Sequence, residues 1–195
     1  VLDVNVGTHG IDEAQVMADV LTLLQQSASI PLCLDSTNPQ VLERGLKQYQ
    51  GKALINSVNG EQASLDNILP LAKRYGAAVV GLTLDENGIP PKAEGRLEIA
   101  KRIVAACEHY GIKRQDIYLD SLVFTVGTDI NGPRETLRTM SLIRQELPGV
   151  NLLLGVSNVS HGLPNRPKIN SAFLAMAIGN GLDLSIINPL DEMMK

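Results

Sequence analysis

The strongest constraint on this chain is the spacing of seven short apolar runs rich in Val, Ile and Leu. The runs begin near Val1, Pro31, Lys52, Ala77, Ile117, Asn151 and Leu182. Each run is nearly continuous rather than alternating, which is typical of strands buried on both faces of a parallel sheet. Helical patterns fill the gaps, so the chain is predicted to be a series of strand–helix units with right-handed connections.

The segments between the runs carry helix signals. Ile11–Ser27 and Arg96–Tyr110 place apolar residues at helical spacing. Asn38 followed by Pro39 predicts the N-cap and first position of another helix. Because Ser171–Gly179 is apolar on nearly every side, we expect it to be the most buried helix. Left-handed residues that end helices are predicted at Gly51, Gly76, Gly111, Gly149 and Gly181.

Two architectures fit such units, an open doubly wound sheet and a closed barrel. A doubly wound nucleotide binder usually has a Gly-rich loop after its first strand, and neither G-x-G-x-x-G nor G-x-x-x-x-G-K-[ST] occurs here. Seven units in 195 residues extrapolate to eight in the roughly 250 residues typical of a barrel. We therefore expect one α/β domain, a (β/α)8 TIM barrel with about seven of its eight strands present. Since the sequence starts without Met on a strand-like run, we expect it to be an excerpt or a truncated form that lacks the N-terminal unit.

Composition excludes several classes of function. The net charge is −4, the isoelectric point is about 5.4 and aromatic residues make up 3%, so nucleic acid is not an expected partner. No apolar run approaches the roughly 18 residues of a membrane span, and no secretory signal is visible. Cys33 and Cys107 lie in apolar stretches and suit buried thiols in a reducing cytoplasm.

Every strand-like run ends in polar residues, and in a barrel these ends converge on one mouth. The same residue types also cap the helix that follows a strand, and Asn38 is assigned to that role. Capping does not explain Asp3, Asn56 and Asp120, which interrupt or directly follow apolar residues. A buried polar group without partners costs a few kcal/mol, so its repetition around the ring favours a shared ligand. The polar strand ends are Asp3, Asn5, Asp35, Ser36, Thr37, Asn38, Asn56, Ser57, Asn59, Thr83, Asp85, Asp120, Ser157, Asn158, Ser160 and Asn188.

The chemistry of these polar strand ends limits the classes of ligand that they can bind. The sequence has no His-rich metal cluster, no H-E-x-x-H, no paired cysteines and no Ser nucleophile elbow, so no metal site is predicted. Carboxylates and amides suit the donor–acceptor edge of a neutral heterocycle such as an aminopyrimidine. His161 is either a proton relay, a lid residue or a plain loop histidine. Arg166 either holds a substrate carboxylate, contacts an acidic partner or is simply exposed.

The chain resembles the pterin-binding methyltransferases that move a methyl group from methyltetrahydrofolate to a corrinoid protein. Members of this family include the methyltransferase for the corrinoid iron–sulfur protein of acetogens and the folate module of cobalamin-dependent methionine synthase. The resemblance covers nearly the whole chain. It depends on the stretches LDVNVG, LCLDSTN, LINSVN, GAAVVGLT, IYLDSL, GVSNVS and NRPKINSAFLAMAI.

The resemblance implies a barrel with the pterin in its mouth, and a chain, residues 1–195, that lacks the family's first strand and helix and its last helix. By resemblance, Asp35, Asn56 and Asp120 hold the pterin ring, and Asn158 lies near the methyl-bearing nitrogen. Asn158 and Asp120 are the implied catalytic pair. Further implied pterin-site residues are Asp3, Asn5, Ser157 and Arg166. Ser121 and His161 depart from the family pattern of Pro and Gln, which affects the rim and the choice of partner.

The resemblance also implies the substrates and partners. 5-Methyltetrahydrofolate or tetrahydrofolate is the substrate, and cobalamin is carried by a corrinoid protein or a fused cobalamin domain. A homodimer is implied by family alone, and transfer in either direction is possible. A tertiary amine is a poor leaving group, so Asn158 is expected to donate a hydrogen bond to the ring nitrogen, with Asp120 and water completing a proton path. The alternatives are a dihydropteroate-synthase-like enzyme, whose Gly-rich Arg-Pro and Ser-Arg-Lys motifs we do not find, and a non-catalytic folate-binding module.

Overall fold

A computed structural model, which describes residues 1–194, contains seven strands that alternate with six α-helices. The strands are β1 (Leu2–Asn5), β2 (Leu32–Asp35), β3 (Leu54–Val58), β4 (Ala78–Leu82), β5 (Ile117–Asp120), β6 (Asn151–Gly155) and β7 (Leu184–Ile186). The helices are α1 (Glu13–Ser27), α2 (Pro39–Gln48), α3 (Gln62–Tyr75), α4 (Ala93–His109), α5 (Gly132–Glu146) and α6 (Arg166–Gly179).

The strands form one parallel sheet in which spatial order equals chain order, β1 to β7. A parallel sheet with sequential order and a helix after nearly every strand curls into a barrel. Residues of β1 and β7, including Leu2 and Leu184, line one cavity, so the two edge strands of the sheet border the same space. The predicted TIM-barrel fold with seven strands is confirmed.

Local signals account for where the helices begin and end. The Asp12 carboxylate accepts a hydrogen bond from the Gln15 amide at 3.1 Å and caps α1. The Asn38 side chain accepts from the Gln40 amide at 2.9 Å, and Pro39 is the first residue of α2, as predicted. Positive φ angles are found at all the glycines for which they were predicted, Gly51, Gly76, Gly111, Gly149 and Gly181.

Two apolar layers explain why the strands read as continuous apolar runs. The larger layer lies between the strands and the helices and includes Leu34, Ile55 and Leu119. The smaller layer faces the barrel interior and consists of Cys33, Leu54, Ala78, Val80 and Leu153. Because successive residues of a strand point to opposite faces, both sets come from the same runs.

The prediction that Ser171–Gly179 forms the most buried helix is wrong. In α6 only Asn170, Phe173 and Ala177 are buried, while Met176 and Ile178 are 56% and 59% exposed. An apolar sequence becomes buried only where a neighbour covers it. Within residues 1–194, α6 packs against α5 and against the 3-10 turns at Val156–Ser160 and Glu192–Met194, which leaves its outer face open.

The close packing of α2 gives a test of this fold. A Cβ on Gly45 would lie 2.8–3.1 Å from atoms of Leu34, Met17 and Leu21, all fully buried. These side chains have no free space to move into, so Gly45→Ala should lower the free energy of unfolding by about 1–3 kcal/mol. Gly179→Ala in α6 meets nothing within 4 Å and should raise it by about 0.5–1 kcal/mol. Urea unfolding of both variants checks this, and equal effects would contradict the packing described here.

Candidate functional site

The strand register aligns polar strand ends on two sides of the barrel. Asn5 pairs with Asp35, and Asp35 pairs with Asn56, across β1, β2 and β3. On the other side Asp120 of β5 pairs with Leu82 of β4. Each lies two residues beyond an interior residue of its strand, so its side chain points into the barrel at the carboxyl end. The pattern therefore produces one ring of side chains at the mouth.

A cavity of about 510 Å³ occupies this mouth. It brings together six of the eight predicted site residues, Asp3, Asp35, Asn56, Asp120, Ser157 and Asn158. The rest of its wall is formed by Asn188, which the sequence analysis placed among the polar strand ends, and by five residues that it did not single out, Leu82, Leu122, Gly155, Ile186 and Ile187. Leu82 and Ile186 are the last inward residues of β4 and β7, so counting alternate positions on every strand would have found them.

The other two predicted site residues do not line the cavity. The side-chain amide nitrogen of Asn5 donates to an Asp35 carboxylate oxygen at 3.0 Å. The side-chain oxygen of Asn5 accepts from the backbone amide of Gly7 at 2.9 Å. Asn5 therefore orients Asp35. Arg166, at the start of α6, donates to the Ser160 hydroxyl at 3.1 Å and to the Ser157 carbonyl at 3.0 Å. Those bonds stabilise the turn after β6 from behind.

That turn, Val156–Ser160, presents Asn158 to the cavity. Asn158 is exposed, and its side-chain amide makes no hydrogen bond within the described part of the chain. Asn170, buried on α6, accepts from the Ser160 hydroxyl at 2.6 Å and reaches the Ser157 hydroxyl at 3.5 Å. Asn170 thus holds the turn while Asn158 stays available to a ligand, a role that no local sequence signal indicated.

Asp120 is the most buried carboxyl group of the site, with 7% exposure. One of its carboxylate oxygens accepts the Leu122 amide at 2.7 Å, and its backbone carbonyl accepts the Thr83 hydroxyl at 2.9 Å. Burial raises the pKa of Asp120 to about 6, and the backbone amides of Leu122 and Gly155 and the charge of Arg96 oppose a further rise. A carboxyl group with this pKa changes its protonation state close to neutral pH.

The neighbouring carboxyl groups make the mouth electronegative. Burial raises the pKa of Asp35, the Asn5 hydrogen bond opposes this, and repulsion from Asp3 adds to it. Burial also raises the pKa of the Cys33 thiol, and the neighbouring carboxyl group of Asp3 raises it further. The residues that line the cavity include three Asp and neither Lys nor Arg. Such a surface fits a neutral ligand rich in hydrogen-bond donors better than an anion.

Residues 1–194 were compared with two further requirements, those of a metal site and those of a membrane span. No group of three or more His, Cys, Asp or Glu side chains among them is arranged to hold a metal ion. Of the helices in this part of the chain, none is long and apolar enough to cross a membrane.

Comparison with known proteins identifies the family. Residues 1–188 match the family model of the pterin-binding enzymes. The chain belongs to this family. The family assignment agrees with the resemblance found in the sequence.

Relatives of known name are similar over nearly the whole chain. A methionine synthase of Mycobacterium tuberculosis is 34% identical over 96% of this chain, which corresponds to 17% of that protein. A methionine synthase of Mycobacterium leprae is 33% identical over 94% of the chain, or 16% of its own length. A methylcorrinoid:tetrahydrofolate methyltransferase of Eubacterium limosum is 28% identical over 99% of the chain and 72% of that protein. The chain thus spans about a sixth of the methionine synthases that it matches.

Solved structures confirm the barrel. A dihydropteroate synthase of Clostridium difficile superimposes with a TM-score of 0.74 at 21% identity, covering 97% of this chain and 74% of that one. A dihydropteroate synthase of Xanthomonas albilineans gives a TM-score of 0.71 at 18% identity, covering 91% of this chain and 68% of that one. At these identities the likeness shows the shared fold alone.

The buried carboxyl group of Asp120 predicts a pH-dependent cost in stability. Its raised pKa favours the folded state below about pH 4, and this contribution is lost as the pH rises through about 6. Asn at this position carries no charge and still accepts the Leu122 amide. From pH 4 to pH 7, Asp120→Asn should therefore gain about 1–3 kcal/mol in unfolding free energy relative to the parent.

Urea unfolding at intervals of pH measures this gain. Asp19→Asn, which removes an exposed carboxyl group of α1, serves as the control. A stability difference between Asp120→Asn and the parent that stays constant from pH 4 to pH 7 would show that burial of Asp120 carries no such cost.

Proposed function

We propose that the chain is the pterin-binding barrel domain, residues 1–195, of a methyltransferase that moves the methyl group of 5-methyltetrahydrofolate to the cob(I)alamin of a corrinoid protein, or carries out the reverse. The observation that carries this proposal is the arrangement of Asp35, Asn56, Asp120 and Asn158 around one open cavity. The names of the relatives, methionine synthase and methylcorrinoid:tetrahydrofolate methyltransferase, support it.

The donor set of the mouth fits the edge of a pterin. A tetrahydropterin offers an amino group and ring N–H groups, and the carboxylates of Asp35 and Asp120 are acceptors for such donors. The Asn56 amide both donates and accepts, so it suits a mixed edge. Leu82 and Ile186 supply apolar surface for the ring faces. Together these residues orient the ring so that its methyl-bearing nitrogen lies toward Asn158 and the opening.

The reaction replaces a nitrogen–carbon bond by a cobalt–carbon bond. The Co(I) of the corrinoid substrate supplies the electron pair for the new bond, and the ring nitrogen keeps the pair of the broken one. That nitrogen must then gain a proton, because an amine nitrogen is a poor leaving group when it departs as an anion. Asn158 donates a hydrogen bond to it, a contact that strengthens as negative charge develops.

Asp120 is the residue suited to proton transfer to and from the ring nitrogen. A group with a pKa of about 6 exchanges protons readily near neutral pH. We assign it a proton path to the ring nitrogen that is completed by water. In forward transfer the proton ends on the nitrogen of tetrahydrofolate. In the reverse reaction the same path removes it as the nitrogen attacks the methyl group.

The corrinoid belongs to a partner in this proposal, either a separate protein or a cobalamin domain of the same polypeptide. The relatives include both a long methionine synthase and a much shorter methyltransferase, which is consistent with either arrangement. Homodimerisation and a cytoplasmic location remain predictions from the sequence.

The first test is Asn158→Ala. It should lower methyl transfer at saturating folate by about 100- to 1,000-fold, because it removes a donor used mainly in the transition state. The affinity for 5-methyltetrahydrofolate should change far less. Free cob(I)alamin serves as the acceptor, and methylcobalamin is followed by its visible spectrum. Asn87→Ala, in the exposed turn after β4, is the matched control.

The outcomes separate the proposal from its alternatives. Unchanged turnover of Asn158→Ala would contradict the assigned role of Asn158. Folate binding by the parent chain without any methylcobalamin would indicate a non-catalytic folate-binding module.

The second test concerns recognition of the pterin. Asp120→Asn should weaken binding of 5-methyltetrahydrofolate at pH 7.5 by about tenfold or more, since it replaces a charged acceptor by a neutral one. In the parent chain the affinity should fall as the pH drops below about 6, where Asp120 becomes protonated. Calorimetric titration from pH 5 to pH 8 measures both effects. An affinity that is independent of pH and of this substitution would exclude Asp120 as a pterin anchor.

A further inference from the structure

Arg96, on α4, is a fully buried cation behind the mouth of the barrel. Its Nη1 donates to the carbonyl oxygens of Ser121 and Leu122, both at 2.9 Å, and its Nε donates to the Pro90 carbonyl at 2.8 Å. The guanidinium also lies 5.3 Å from the centre of the Phe124 ring. Burying a guanidinium is costly, and two of these three bonds go to the segment that directly follows Asp120.

The segment held by Arg96 is conformationally strained. Leu122 has a φ of 55°, a left-handed conformation that is unusual for a side chain other than Gly, Asn or Asp. The Leu122 carbonyl accepts from Arg96 and also from the Thr136 hydroxyl at 2.8 Å. In this conformation the Leu122 amide reaches the carboxylate of Asp120 at 2.7 Å. Two donors on one carbonyl thus hold the peptide whose N–H fixes the carboxylate.

The guanidinium is not fully satisfied in this position. Its Nη2 and the neighbouring Ser121 hydroxyl are buried and have no hydrogen-bond partner among the described residues. Its bonds to the carbonyl oxygens of Ser121 and Leu122 are the contacts by which Arg96 can act on the segment after β5.

We propose that Arg96 is the positioning residue of the pterin site, which holds Ser121 and Leu122 so that the Asp120 carboxylate is oriented toward the ligand. It touches neither the cavity nor the substrate and acts through Asp120. This inference rests on the function proposed above for Asp120. It adds to that function a residue that the sequence analysis did not single out.

The charge of Arg96 also contributes to the pKa of Asp120, after burial and the backbone amides of Leu122 and Gly155. Burial lowers the pKa of Arg96, and the negative charges of Glu135, Asp129 and Asp120 oppose this. Asp120 in turn shares the cavity with Asp3 and Asp35, and the positive charge of Arg96 lowers its pKa. Removing the guanidinium should therefore raise the pKa of Asp120 further and move its protonation into the neutral range.

The experiment compares Arg96→Met and Arg96→Lys with Arg102→Met. Arg102 lies on the same helix, is half exposed, and bonds to Gly60 and Asp85 on another side of the barrel. The first readout is the titration of the Asp120 carboxyl carbon, followed by carbon-13 NMR in the ligand-free chain. The second is the dissociation constant of 5-methyltetrahydrofolate between pH 6 and pH 8.5.

Arg96→Met should raise the titration midpoint of Asp120 by about one pH unit or more. It should also weaken folate binding at pH 7 by about tenfold, with partial recovery at pH 8.5. Arg96→Lys keeps the charge but lacks the planar fork that holds the peptide of Leu122, so the midpoint should rise less than in Arg96→Met while folate binding weakens at every pH. Arg102→Met should alter neither readout.

A positioning role is overturned if Arg96→Met unfolds more easily but leaves the Asp120 midpoint and folate affinity unchanged. If Arg96→Met does not fold, Arg96→Lys and Thr136→Val decide, since Thr136→Val removes the second donor to the Leu122 carbonyl. Folate affinity at the parental value in both would then overturn the proposal. A parent chain that binds no 5-methyltetrahydrofolate would refute the proposed function instead, while the ligand-free titration would still test the action of Arg96 on Asp120.

Discussion

The register of the parallel strands is the constraint on which the site depends. Asn5, Asp35 and Asn56 are cross-strand neighbours, and each points inward because the adjacent residues point toward the helices. A slip of one residue would turn these polar side chains into the apolar layer and leave them unpaired. Buried residues such as Leu34 and Ile55 hold the outer face, so the packing that stabilises the barrel also aligns its mouth.

The site is built at the expense of stability. Asp120 is almost fully buried, and its raised pKa reports the cost of keeping a carboxylate there. The Leu122 amide and the Thr83 hydroxyl hold it in place, and Leu122 itself adopts an unusual backbone conformation. Cost and strain concentrated around one carboxyl group are typical of a functional site, where the surrounding structure fixes the geometry that the chemistry needs.

The sequence was sufficient for the fold and for most of the mouth, because both follow from short periodic patterns. The seven strands and the cap at Asn38 were predictable from local signals, and six of eight predicted site residues line the cavity. What failed depended on partners distant in sequence. The exposure of α6 depends on which neighbours cover it. The Arg166 side chain bonds to the backbone of the turn after β6 rather than lining the cavity. Arg96 contacts a segment about 25 residues away along the chain.

The central claim is that the carboxylates and amides of the mouth form one pterin site, and a crystal structure with 5-methyltetrahydrofolate tests it most directly. The account predicts the pterin ring at the carboxyl ends of the strands, with Asp35, Asn56 and Asp120 on its polar edge. The methyl-bearing nitrogen should lie within hydrogen-bond distance of the Asn158 amide. Binding of the folate elsewhere, such as in the apolar interior near Leu184, would contradict the account.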